Sequence, residues 1–175
     1  RRKVGNMGTI NLSQLEWSLR GWRPNFCAQA QGIDTFVGAE VGPFKAYVPG
    51  SVQRALLEAG VIPDWRIGVN SRACEWVEHR QWQFTAEIPA DTVSPGETAW
   101  LEAQGLDHSG WIYVDSHQAG YFEGTLLPHR FDLTPWVSDG KAHRLHILFE
   151  EPPPEQGQCG YTSRSRYFKP RYNYS

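Results

Sequence analysis

Gln81-Trp82-Gln83-Phe84-Thr85-Ala86-Glu87-Ile88 alternates apolar and polar residues without a break. Successive side chains on a strand point to opposite faces. Trp82, Phe84, Ala86 and Ile88 therefore share one face, and Gln81, Gln83, Thr85 and Glu87 the other, as expected of a strand with one buried and one wet side. The same period recurs along the chain. In residues 98–104, Ala99, Leu101 and Ala103 point one way. In residues 143–150, Leu145, Ile147 and Phe149 oppose Arg144, His146, Leu148 and Glu150. Residues 111–115 set Ile112 and Val114 against Trp111 and Tyr113, and 130–134 form a shorter candidate.

Turn signals separate these runs: Ser94-Pro95-Gly96, residues 107–110, and Asp139-Gly140. Such residues supply the backbone freedom or local side-chain bonding that reversals need. One stretch has helical spacing. Ser51 caps it, Val52, Ala55, Leu56 and Ala59 form its apolar stripe, and Gly60 ends it. Many short strands and no alternating helices exclude a parallel sheet covered by crossovers. The expected fold class is all-β, an antiparallel β-sandwich with one short helix.

The 175 residues suffice for one domain with one core. Seventeen Lys and Arg against 19 Asp and Glu leave a net charge of -2. That balance gives no reason to expect nucleic acid or an anionic membrane as partner. Cys27, Cys74 and Cys159 are widely spaced, so neither a zinc site nor a thioredoxin-like redox centre is expected; free thiols are the default, and the odd number leans towards a reducing compartment. No apolar run approaches the ~18 residues of a membrane span and no secretory signal is visible, so the expected location is cytoplasmic. The only methionine is Met7, and residues 1–13 are expected to be an N-terminal arm or a remnant of cloning.

Val48-Pro49-Gly50-Ser51-Val52, then Leu56-Leu57-Glu58-Ala59-Gly60-Val61-Ile62-Pro63-Asp64, then Gly68-Val69-Asn70, closely resemble the opening domain of glycoside hydrolase family 2, in its exo-β-mannosidase-like branch. The resemblance continues through Trp17-Ser18-Leu19, Glu75-Trp76-Val77, Gly105-Leu106-Asp107 and Phe131-Asp132-Leu133-Thr134, and spans roughly residues 15–175. It implies a jelly-roll, galactose-binding-domain-like sandwich over 14–160. It also implies an exit segment over 161–175, because Lys169-Pro170-Arg171-Tyr172-Asn173-Tyr174-Ser175 resembles the stretch that runs into a Trp-Asp-Trp motif lining the family's sugar subsite. The sequence is thus expected to be an excised domain. Two positions depart from the mannosidase pattern: Asp115-Ser116-His117 stands in place of a Leu-Asn-Gly hairpin, and Ser71 follows Asn70 in place of Glu. An exo-β-glucosaminidase or a β-galactosidase-like relative therefore stays open.

Members of the family are retaining glycosidases, which use two carboxylates about 5 Å apart. The resemblance puts both on a downstream (β/α)8 barrel, so no catalytic residue is expected in this chain. The implied partners are an immunoglobulin-like domain, that barrel, and the glycoside substrate of the parent enzyme. No cofactor or metal is expected: His143 and His146, the only close histidine pair, fall on opposite faces of a strand. Asp64, Trp65 and Asn70 are candidate sugar contacts, since an aromatic face and hydrogen-bonding groups suit a sugar, but they equally suit a turn packed on the sandwich. Trp111 and Tyr113, opposite buried Ile112 and Val114, would form an exposed patch for docking on the barrel. Lys169, Tyr172 and Tyr174 are candidates for the domain boundary. Arg164, Arg166, Lys169 and Arg171 interleave with aromatic residues in the manner of a single-strand nucleic-acid binder, yet a linker accounts for them within the family. The rival function is a free-standing carbohydrate-binding module.

Overall fold

In a computed structural model of the chain, which describes residues 8–24, 32–124 and 127–151, Gln81–Ile88 is the third strand, β3, inside a six-stranded sheet. The others are β1 (Trp17–Trp22), β2 (Val41–Ala46), β4 (Trp100–Ala103), β5 (Ser109–Val114), β6 (His117–Glu123), β7 (His129–Asp132) and β8 (His143–Phe149). The large sheet runs β2-β1-β3-β8-β5-β6, and β4 pairs with β7 in a second, two-stranded sheet. Every pairing is antiparallel. The antiparallel two-sheet fold is therefore as expected.

The core lies between the sheets. Leu19, Phe84, Ile112, Phe122, Leu145 and Ile147 from the large sheet join Leu101 and Phe131 from the small one in a single buried cluster. Leu56, Ile62, Cys74 and Val77, from the segment between β2 and β3, belong to the same cluster. The small sheet therefore does not cover the inner face alone.

The expected helix is α1 (Val52–Glu58). Ser51 Oγ accepts a hydrogen bond from the Arg54 amide at 3.2 Å. At the other end Gly60 takes φ +71, and the amides of Gly60 and Val61 donate to Leu57 and Leu56 carbonyls at 3.0 and 2.9 Å. That pair of bonds is a Schellman motif, which satisfies carbonyls the helix end would leave open. Two further single turns, α2 (Asn70–Ala73) and α3 (Thr134–Val137), are too short to show a period of 3.6. In α3, Pro135 in the first turn ends the strand expected to run to Thr134.

Two expectations need correction. Strands β2 and β6 escaped the period-two reading because each buries a single residue, Ala46 and Phe122, and so shows no alternation; β2 also contains Gly42-Pro43, which suits its place at the sheet edge. The face of β3 expected to be wet is buried, with Gln83 at 0% exposure and Gln81 and Thr85 below 10%. Ile33 and Phe36, from the segment between β1 and β2, lie on this face with Trp22, His146 and Leu148.

Candidate functional site

The loop carrying Asp64, Trp65 and Asn70 is held together by its own polar groups. The Arg66 guanidinium donates from Nε to Asp64 Oδ1 and from Nη2 to Oδ2, both at 2.8 Å. Asp64 Oδ1 also accepts from the Arg66 amide at 3.1 Å, and Asn70 Nδ2 donates to the Asp64 carbonyl at 3.0 Å. Hydrogen bonding to Arg66 holds the Asp64 carboxyl below its ordinary value. Trp65 is half-buried and packs on the core cluster. The three candidates are thus brought together, with the polar groups of Asp64 and Asn70 engaged inside the loop.

Trp111 and Tyr113 stand on the outer face of β5, opposite fully buried Ile112 and Val114. They are half-buried rather than exposed, because they pack against Trp22, Ile33 and Leu148. The exposed aromatic next to them is Tyr121, 47% exposed, with its ring 5.7 Å from that of Trp111 and its hydroxyl donating to Glu150 Oε2 at 3.2 Å. Lys169, Tyr172 and Tyr174 lie outside the described residues.

A buried polar network on the same outer face is absent from the sequence reading. Trp22 Nε1 donates to Gln83 Oε1 at 2.8 Å, and Gln83 Nε2 donates to the Ile33 carbonyl at 2.7 Å. His146 Nδ1 lies 3.0 Å from Gln83 Nε2 and 2.9 Å from Thr85 Oγ1, while its Nε2 lies 3.2 Å from Asp34 Oδ1. The Asp34 carboxylate can only accept, so the proton sits on Nε2 and Nδ1 of the neutral ring is the accepting nitrogen. Asp34, His146 and Thr85 follow the order of a carboxylate–imidazole–hydroxyl relay. His146 is completely buried and Thr85 nearly so, which leaves a substrate no approach to the hydroxyl. The network ties the 32–36 segment to the sheet, helped by Arg144, whose Nε lies 3.0 Å from Asp34 Oδ1.

The two histidines of β8 have opposite electrostatics. Desolvation lowers the His146 pKa to about 4 against the pull of Asp34. For His143, desolvation is outweighed by Asp115 Oδ2 on Nδ1 and Asp139 Oδ1 on Nε2, both at 2.8 Å, and its pKa is raised. An unfolded histidine titrates near ~6.5. Between about pH 4 and 6.5 the unfolded chain therefore takes up a proton that buried His146 refuses, and this contribution to stability fades as the pH falls. The His143 contribution is present below about 6.5 and fades as the pH rises through its raised folded value. Urea unfolding from pH 4 to 9 is expected to show a flatter acid limb in His146→Gln, and a destabilisation by His143→Gln that is largest near pH 6 and shrinks towards pH 9. An acid limb unaltered in His146→Gln would contradict the assignment.

A groove of about 1980 Å³ is lined by residues 47–53, by β4 and by residues 104–109. Trp100 is 48% exposed here. The Arg130 guanidinium lies 4.3 Å from the centre of its ring, and Arg130 Nε is 3.4 Å from Glu102 Oε1. Among the described residues no cluster of His, Cys, Asp or Glu is placed to hold a metal, and no helix is long and apolar enough to cross a membrane.

Comparison with known proteins places these features in a family. The model of the glycosyl hydrolase 2 galactose-binding domain-like family matches residues 27–170. Beta-mannosidase A of Emericella nidulans is 27% identical over 131 residues, which cover 75% of this chain and 12% of that protein. Beta-mannosidase B of the same organism is 28% identical over 59% of the chain, again 12% of its own length. Among solved structures, the beta-D-mannosidase of Dictyoglomus thermophilum superposes with a TM-score of 0.67 at 22% identity, over 83% of this chain and 16% of that one. A beta-glucuronidase of Ruminococcus gnavus superposes with a TM-score of 0.54 at 15% identity, over 78% of this chain and 21% of its own. The chain spans about an eighth of the length of the curated mannosidases it matches.

Proposed function

The chain belongs to the glycosyl hydrolase 2 galactose-binding domain-like family, and from that premise we propose that it is the non-catalytic sandwich domain of a retaining exo-β-glycosidase. Its task is to shape one wall of the sugar pocket and to brace a catalytic (β/α)8 barrel. The observation that carries the proposal is the family match over 27–170, in a chain that spans only 12% of relatives named beta-mannosidases. A β-mannoside is accordingly the first candidate substrate of the parent protein.

The internal chemistry supports a supporting role. The carboxylates with defined partners are engaged in structure: Asp64 with Arg66, Asp115 with His143, and Asp34 with Arg144 and His146. In this reading the acid/base and nucleophile of a retaining mechanism come from the barrel. Residues 14–160 form the sandwich and 161–175 lead to an immunoglobulin-like domain and the barrel.

Equilibrium binding of the chain to an array of β-linked mannosides, glucosaminides, galactosides and glucuronides distinguishes a pocket wall from a binding module. A wall without its partner domain has few convergent contacts, so dissociation constants in the millimolar range or weaker are expected. Micromolar affinity for one glycan would instead establish a free-standing module, with exposed Trp100 as its stacking platform.

A further inference from the structure

We propose that the segment over residues 61–73, which includes α2, is the surface by which this domain docks on the catalytic barrel of its parent enzyme, with Ile67 and Val69 as the anchoring side chains. The inference rests on the proposed function and assigns the bracing role to one element.

The segment is built to hold its shape. Ile62 and Cys74, at its two ends, sit in the core, and Trp65 packs on the same cluster. Between these anchors the backbone turns on itself: the amides of Ile67, Asn70 and Arg72 donate to the carbonyls of Asp64, Ile67 and Val69 at 3.2, 3.1 and 3.1 Å. Together with the Asp64–Arg66 pair and the Asn70 side-chain bond, they order the surface before a partner arrives, so little entropy is lost on docking. What this frame presents is apolar. Val61, Ile67 and Val69 are 38%, 63% and 73% exposed, so three of the nine large apolar side chains exposed among the described residues fall within nine consecutive positions. Exposed aliphatic residues scattered singly carry no message, whereas a group of them on an ordered element marks a contact surface. Gly68, between Ile67 and Val69, has φ +56, and no atom lies within 4 Å of a Cβ added there. The turn that carries both side chains therefore stands clear of the sandwich.

Length and charge select the occupant. The matched region is only 12% of two beta-mannosidases and 16% of a solved one, so these relatives carry most of their polypeptide beyond it. A partner in the same polypeptide is met at a high effective concentration, for which a patch of a few side chains suffices. Residues 61–73 carry Arg66 and Arg72 against Asp64, a formal net of +1 in a chain whose net charge is -2. Arg72 is exposed. A (β/α)8 barrel keeps its active site on one face, at the ends of its strands, and a retaining glycosidase sets two carboxylates there. The segment suits that face by apolar contact at its tip and by charge at its rim. Two copies of this chain meeting through the same segment would instead set +1 against +1.

The test compares the 175-residue chain with the product of its full reading frame. Hydrogen exchange read by mass spectrometry is expected to show the amides of residues 66–70 exchanging at least about tenfold more slowly in the full product. Ile67→Asp/Val69→Asp is expected to leave the melting temperature of the isolated chain within about 2 °C, because both side chains already face water. In the full product the same pair is expected to lower the melting temperature by about 5 °C or more and glycoside turnover at least about tenfold, because two carboxylates then meet an apolar, acidic surface. Val37→Asp is the control, at a side chain 63% exposed between β1 and β2, and is expected to change neither property. Equal exchange of the segment in the two proteins would overturn the docking assignment. So would a full product that keeps its stability and turnover with both aspartates, or an isolated chain destabilised as much as the full product. Those results leave the proposed function standing. Inactivity of the full product on every glycoside is the separate failure of that reading, and the exchange and melting comparisons report on docking without any turnover.

Discussion

Trp22→Ala is expected to cost about 3–5 kcal/mol of folding stability, the usual range for deleting a fully buried large aromatic side chain. The ring is completely buried, and its Nε1–H is bonded to Gln83 Oε1 at 2.8 Å inside the network that seals the outer face of the large sheet. Removal leaves both a cavity and an unpaired amide oxygen. Against the ~5–15 kcal/mol that typically hold a domain together, such a loss unfolds a sizeable fraction of the chain if its stability is at the low end. Trp22→Phe separates the contributions: it keeps most of the volume and deletes the donor, with an expected cost of about 1–3 kcal/mol. Urea denaturation with a common m-value measures both. A loss below about 1 kcal/mol in Trp22→Ala would mean that the 32–36 segment does not seal this face.

Gly110→Ala is expected to destabilise by about 1–3 kcal/mol or more, as overpacking does in a rigid interior. Gly110 lies in β5, paired with Phe122 on one side and Phe149 on the other. A methyl group there would collide with the carbonyl oxygen of Leu148 and come within 2.8 Å of Phe122 Cζ. The first obstacle is the backbone of the next strand, so relief requires β5 and β8 to separate in the middle of the sheet. Gly8→Ala is the control: nothing lies within 4 Å of the added carbon, and its effect is expected to stay within about 0.5 kcal/mol. Thermal unfolding of the two variants side by side reads the difference, and equal melting temperatures would show that β5 and β8 are not held in this register.

Six of the eight strands carry a pattern that can be read without structure, either a period of two or, for β1, the Trp17-Ser18-Leu19 resemblance. The helix is legible because Ser51 and Gly60 mark its ends. Strands β2 and β6 are not legible, since each buries only one residue, Ala46 and Phe122, too few for alternation to appear. The cover on the outer face is the larger omission. Gln83, Thr85 and His146 look like solvent-facing residues, and only contact with Ile33, Asp34 and Phe36, more than 45 residues from any of them in sequence, makes them interior. Leu148 and Trp22, apolar on a face otherwise read as wet, were the available signal that something lies over it.

The candidate site was legible as residues but not as geometry. Asp64 and Asn70 were identified by their place in a family pattern, yet that Asp64 would be gripped by Arg66 two residues away, and Asn70 turned inward to the Asp64 carbonyl, depends on backbone angles no pattern specifies. The opposite placement of His143 and His146 followed from strand period alone. Their different proton affinities did not, because Asp115, Asp139 and Asp34 reach them from separate loops.

The central claim, that this is a non-catalytic domain of a retaining exo-β-glycosidase, is tested most directly by hydrolysis of nitrophenyl β-mannoside, β-glucosaminide and β-galactoside. The panel is run with the purified chain and with the product of its full reading frame. The account requires turnover by the full product alone, and the sugar cleaved fastest identifies the parent's substrate. Turnover by the purified chain, or inactivity of the full product on all three, would contradict it.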